Sequence, residues 1–147
     1  MTKLIVRDAR AADAGDIARL STQLGYPADA AAIPARLVRL ADSADNRTLV
    51  AVDGDVVVGV ETVHLRMTLN HDAPLGQITM LVVDETHRGT GAGRALVEAA
   101  EAWVAQQGCD RIIVNTALHR AGAHAFYERL GYTHGGRRYG KEFSHQE

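Results

Sequence analysis

At 147 residues the chain is long enough to bury roughly 70% of its unfolded surface in one core without disulfides or metals. Sixteen basic against 18 acidic residues leave a net charge of −2, which gives no electrostatic reason to expect a nucleic acid or an anionic membrane as partner. The lone cysteine, Cys109, excludes an internal disulfide framework and fits a reducing cytoplasm, so the expectation is one cytoplasmic globular domain, residues 1–147.

Leu4-Ile5-Val6 start a strand; the run is too short for a signal peptide or a membrane span. Asp13 is a suitable N-cap for a helix whose Ile17, Leu20 and Leu24 make an apolar stripe ending at Gly25. Ile33, Leu37 and Leu40 repeat that pattern, with Pro34 opening or kinking the second helix. Thr48 to Val52 and Val56 to Val60 flank Asp53-Gly54, a strong hairpin signal, and Val60 to Leu69 prolongs the second strand. A turn-rich connection, Asn70 to Gly76, leads to a strand over Gln77 to Val83. The next helix carries Leu96, Ala99, Ala100 and Trp103 on one face and stops at Gly108. Ile112 to Thr116 is a further strand, followed by a helix around Tyr127 and a final strand pair within Tyr132 to Phe143. Cys109, between Gly108 and Asp110 ahead of a strand, reads as a small packing residue. Among seven histidines only His119 and His124 lie close, five apart and on different helical faces, so no metal is expected.

Chemistry concentrates between Thr79 and Ala100, where strand, glycine-rich loop and helix follow one another. Gly89, Gly91 and Gly93 let the backbone approach a ligand and turn N–H groups toward it, and the helix adds its unpaired N–H groups and positive dipole end. Arg88 and Arg94 bring charge-assisted donors. A phosphate-bearing ligand fits such a place. No Lys-Ser/Thr pair follows the glycines, which argues against a nucleotide-hydrolysing loop. In a dinucleotide fingerprint Arg94 would stand where the third glycine belongs, although Asp110 partly mimics its acidic residue.

The loop Arg88-Gly89-Thr90-Gly91-Ala92-Gly93, after Leu81-Val82-Val83, resembles the [QR]-x-x-G-x-[GA] loop of the GNAT superfamily of acetyl-CoA-dependent N-acetyltransferases. A second segment, Arg120 to Tyr132, resembles that family's C-terminal signature, with Ala123, Phe126, Tyr127, Gly131 and Tyr132 at its fixed positions. The resemblance extends over essentially the whole chain, with both motifs in its second half. It implies an α/β (α+β) GNAT fold, a mixed central sheet splayed at its fourth strand with helices on both faces. Acetyl-CoA would be the cosubstrate, held by Leu81, Val82, Val83, Arg88, Gly89, Thr90, Gly91, Ala92, Gly93 and Arg94, with Asn115 on the pantetheine amides and Arg120 on the phosphates. A backbone N–H among Leu81, Val82 and Val83 would polarise the thioester carbonyl, and Tyr127 would protonate the departing thiolate as general acid.

The reaction also needs a base, because an alkyl amine of pKa near 10 is neutral in only about one molecule in a thousand at pH 7. Where many relatives carry a glutamate, this chain has Thr79, which cannot serve; Glu61 and His64 on the third strand are substitutes and a water chain is another, Glu61 otherwise being an exposed strand carboxylate. The family places acceptor specificity in the first helix pair and its linker, here Gln23 to Ala28. Small bacterial members of unassigned acceptor, and more distantly aminoglycoside-type acetyltransferases, resemble the chain best; Glu61, Asp72 and Asp84 are the acidic groups a polycationic acceptor would need. The expected acceptor is a primary amine of a small molecule or peptide, and a homodimer is the expected assembly. A catalytically weak acyl-CoA-binding module is the alternative.

Overall fold

A computed structural model describes residues 4–115, 121–135 and 139–143. The chain divides into two compact units, residues 1–115 and 116–147. In the first, the element order is β1 (Leu4–Asp8), α1 (Ala14–Leu24), α2 (Ile33–Ala41), β2 (Asn46–Asp53), β3 (Val56–Arg66), β4 (Leu75–Val83), α3 (Ala92–Gln106) and β5 (Ile112–Val114). The second contains α4 (Ala121–Arg129).

Strands β1 to β4 pair antiparallel in chain order, and β5 joins β4 in parallel across α3. Helices cover both faces of this mixed sheet. On one, Ile17 and Leu20 of α1 and Ile33 of α2 pack on Val50, Val52, Val57, Val60 and Val82. On the other, Ala92 and Leu96 of α3 pack on Leu49, Ala51 and Val58. Full burial of Leu20 and Leu96 is worth about 1.5–3 kcal/mol each, before the entropy of ordering them is counted. Two sheet glycines bring α3 close. A Cβ at Gly76 would meet Val104 at 2.5 Å, and one at Gly59 would meet Leu96 at 3.0 Å.

Several expected punctuators hold. Gly25 ends α1 at φ 106°, Pro34 sits in the first turn of α2, and Gly54 turns the β2–β3 hairpin at φ 64°. Asp13 precedes α1 but does not cap it with its side chain. Its carboxylate instead takes both guanidinium nitrogens of Arg7, at 2.9 and 3.0 Å, and the Arg10 N–H. The charged bidentate partner and the Arg10 amide occupy those oxygens, so none is left for the first amides of α1. The strand pair expected within Tyr132 to Phe143 is not formed by the described residues there, 132–135 and 139–143. Glycines at 131, 135, 136 and 140 weaken any strand in that stretch, and Tyr139 and Phe143 are exposed. Among the described residues no helix is long and apolar enough to cross a membrane.

Candidate active site

The site is organised by an irregularity in β4. In its pairing with β3, Thr62 faces Met80 and Val63 faces Ile78, so Thr79 is an extra, bulged residue. Two hydrogen bonds show what the bulge does. The Gly76 N–H donates to Arg111 O on the β5 side at 3.1 Å, whereas the Asp84 N–H donates to Val58 O on the β3 side at 2.8 Å. Along a regular strand, positions eight apart would point the same way. One inserted residue reverses them, so the N–H groups of Leu81 and Val83 point toward the β5 edge and that of Val82 toward β3. β5 itself pairs only with Gly76, Gln77 and Ile78. The stretch Thr79–Val83 therefore runs on past the end of β5.

β4 then delivers the chain into the glycine loop through one helical turn, Glu85–His87. Asp84 anchors that turn. It accepts from the Thr86 N–H at 3.1 Å and hydroxyl at 3.0 Å, and it pairs with Arg19 of α1, which also donates to Val57 O. The Thr86 bonds first, then Arg19, hold its carboxyl down at about 2 despite burial. Asp84 is thus committed to structure rather than offered to a cationic acceptor. From α1, Gln23 reaches the same turn and accepts from the Glu85 N–H at 3.1 Å.

Gly89 and Gly91 adopt φ 81° and 94°, where a side chain is strained, and a Cβ at either would meet nothing within 4 Å. Space is open on the loop's outer side. Gly91 is the N-cap of α3 and brings no side chain to it, and the first helical bond runs from Ala95 N to Gly91 O. The N–H groups of Ala92, Gly93 and Arg94 therefore precede the hydrogen-bonded ladder of a 15-residue helix. Gly93 itself is helical. Thr90 turns its hydroxyl back onto His87 O at 2.6 Å and so braces the loop. Arg88 is exposed, while Arg94 pairs with Glu98 one turn on, at 2.8 Å. An exposed pair of that kind is worth about 0.3–0.5 kcal/mol, little enough for a phosphate to displace. Uncapped donors, a positive helix end and open space suit the pyrophosphate of a CoA ester.

Asn115, exposed, follows the end of β5; Arg120 lies outside the described residues. In the second unit Tyr127 is buried, 7% exposed, and packs edge-to-face on Phe126 at 5.0 Å and Tyr132 at 5.7 Å. The more enclosed ring is thus that of Tyr127, whereas Phe126 is half-buried. Gly131 at φ 93° closes α4, with Tyr132 N on Tyr127 O at 3.0 Å.

Glu61 is not an exposed strand carboxylate. It is fully buried on the sheet face under α3, flanked in register by Leu49 and Leu81, and neither carboxyl oxygen has a hydrogen-bond partner among the described residues. Burial, with a smaller contribution from Glu101, pushes it up to about 8. The opposite face of the same strands is polar beyond α1 and α2. There the Thr62 and Thr79 hydroxyls lie 2.6 Å apart, and His64 Nε2 lies 3.2 Å from Oε1 of the buried Gln77. Sequence reasoning missed Gln77 and Thr62; polar residues at alternate positions of an otherwise apolar strand were the available signal. Among the described residues no cluster of histidine, cysteine and carboxylate groups forms that could hold a metal ion. Burial raises the Cys109 thiol, in keeping with a packing residue.

The model of the acetyltransferase (GNAT) family matches residues 16–132. The chain belongs to that family. An aminoalkylphosphonate N-acetyltransferase of Salmonella typhimurium is 37% identical over 76 residues, which cover 52% of this chain and 49% of that enzyme. An aminoglycoside N(6')-acetyltransferase type 1 of Stenotrophomonas maltophilia is 30% identical over 132 residues, 86% of this chain and 84% of that one. The chain thus spans about half the first of these GNAT relatives and most of the second. A crystallised aminoglycoside N-acetyltransferase in complex with CoA superposes with TM-score 0.85 at 16% identity, covering 97% of this chain and 96% of that one. A transcriptional regulator of Bacillus halodurans C-125 also superposes with TM-score 0.85, at 22% identity, covering 96% of this chain and 100% of that one. At such identities these two likenesses speak to the GNAT fold.

Proposed function

We propose that the chain is a single N-acetyltransferase domain that moves the acetyl group of acetyl-CoA to a primary amine of a small molecule or peptide by direct attack. One observation carries the reading. The strand stretch that outruns β5 leads within ten residues to an uncapped helix N-terminus, so an extended thioester and its pyrophosphate find donors in sequence. In this reading the loop N–H groups from Gly89 to Arg94, with the exposed Arg88, hold the pyrophosphate, and Asn115 and Arg120 flank the cosubstrate. The Leu81 and Val83 N–H groups face the thioester side. A donor aimed at the developing oxyanion is worth about 3–4 kcal/mol of barrier. Tyr127, by its place in the C-terminal signature, protonates the thiolate; a phenol of pKa about 10 suits a thiolate of similar basicity.

The experiment is acetyl-CoA incubated with a panel of amines (aminoglycosides, aminoalkylphosphonates, peptides with free N-termini) and a thiol reagent. Thiol release that depends on one class of amine is expected. Tight CoA binding with no amine-dependent release would make the protein an acyl-CoA-binding module instead.

A further inference from the structure

Position 79, where many relatives hold the base, carries a threonine, and the buried Glu61 lies on the sheet face covered by α3. The polar face opposite offers a different group. Thr62 and His64, two apart on β3, share that face, and their partners Thr79 and Gln77 on β4 face them at 2.6 and 3.2 Å. Gln77 is 7% exposed, and its Oε1 can only accept, so the Nε2 of His64 is the nitrogen that carries hydrogen. Nδ1 is left with its lone pair, the form a proton acceptor requires.

Position fits the role. Glu61, three residues before His64, faces Leu81 in register, so His64 lies about 10 Å along β3 from the level of the Leu81 N–H. The Thr62–Thr79 hydroxyl pair lies between them. Hydroxyls donate and accept at once, so this pair, two residues from His64 on the same face, can pass a proton on through bridging water. By register Asn46 faces His64 from β2 and Gln77 from β4. Of the charged groups on the neighbouring elements, Arg66 lies two residues along β3, Asp45 precedes Asn46 and α2 carries Arg36 and Arg39, while Arg47, opposite Val63, and Glu61 lie on the other face and Asp53 ends β2 at its far end.

We propose that His64 takes up the proton of the acceptor amine through the Thr62–Thr79 hydroxyls and bridging water, with Gln77 fixing its tautomer. This rests on the N-acetyltransferase reading above. The ammonium R–NH3+ gives one proton to the hydroxyl pair, which passes one by way of water to His64 Nδ1. The freed nitrogen lone pair forms the C–N bond to the acetyl carbon and the C–S bond breaks. The second amine proton is balanced by the one the thiolate gains, and His64 returns its own to solvent.

Two measurements test the proposal. Long-range 15N–1H spectra of the neutral imidazole should show hydrogen on Nε2 of His64; hydrogen on Nδ1 would overturn the proposal whatever the enzyme acetylates. With kanamycin and 1-aminoethylphosphonate as acceptors, His64→Asn should lower kcat by about 10²-fold, remove the acid limb of the pH profile and leave CoA affinity unchanged. Gln77→Glu should move that limb to higher pH, because a carboxylate partner favours the imidazolium. Thr79→Val should cost a similar factor, and the double variant no more than the worse single one, as expected of groups acting in one relay. An unchanged acid limb in folded His64→Asn overturns the proposal alone. Absence of turnover with every amine removes the N-acetyltransferase reading and the proposal with it.

Discussion

Replacing Glu61 by methionine should make the protein more stable, by an amount that grows with pH. The side chain is fully buried, its oxygens have no hydrogen-bond partner among the described residues, and its folded-state pKa is raised from 4.5 to about 8. A group whose pKa is raised on folding contributes its full stability below the unfolded value and loses it as pH rises toward the folded value. Each pH unit crossed between 4.5 and about 8 therefore removes about 1.4 kcal/mol, and at pH 7 the native state stands about 3 kcal/mol below its value at pH 4.5. Methionine fills nearly the same volume and has no proton to hold. Urea unfolding of both proteins, followed by fluorescence of the single, buried Trp103, should give a stability difference that climbs from small at pH 5 to about 3 kcal/mol at pH 7. Every other titration cancels in that difference. A gap that does not vary with pH, or a wild type that is the more stable protein at pH 7, would refute the reasoning and show that Glu61 is paired in the native state.

CoA or acetyl-CoA at a hundredfold excess over its dissociation constant should stabilise the fold by about 2.7 kcal/mol, a shift of several degrees in a melting scan, and NADH and ATP should do far less. Gly91→Val should abolish CoA binding in calorimetry. Because a Cβ there meets nothing within 4 Å, the cost falls on the φ of 94° and the start of α3 rather than on packing, so most of the fold should survive. Tyr127→Phe should lower kcat by about 10²-fold with CoA affinity unchanged; a loss of about 1 kcal/mol in stability with kcat intact would make the hydroxyl structural.

The elements were legible wherever a pattern is local. Asp53-Gly54 marked its hairpin, Gly25 its helix end, and the apolar stripe of Ile17, Leu20 and Leu24 its buried face. The glycine loop was legible for the same reason, since positive φ at Gly89 and Gly91 is written in the residue type. What stayed hidden depends on partners far away in sequence. Asp13 is a good cap until Arg7 arrives on the neighbouring strand. Asp84 looks available until Arg19 of α1 packs on it. Glu61 looks exposed because strand alternation does not say which face a helix will cover. The Thr79 bulge has no signature of its own, being defined only by what β3 places opposite.

That bulge links the fold to the chemistry proposed for it. Before it, the Gly76 N–H is spent on β5, and α3 packs against the Gly76 backbone so closely that no side chain fits. After it, Met80 and Val82 pack under α1 and α2 while Leu81 and Val83 turn to α3, and the backbone donors of Leu81 and Val83 turn to the edge that β5 has left. Side-chain face and N–H direction alternate together along a strand, so without a bulge at Thr79 Leu81 and Val83 would stand on the opposite face with their N–H groups in the β3 ladder. One extra residue shifts both alternations together, and that residue is Thr79. Its hydroxyl, too short and too weakly basic to be the base, is instead directed onto Thr62, on the sheet face that also carries His64 and Gln77.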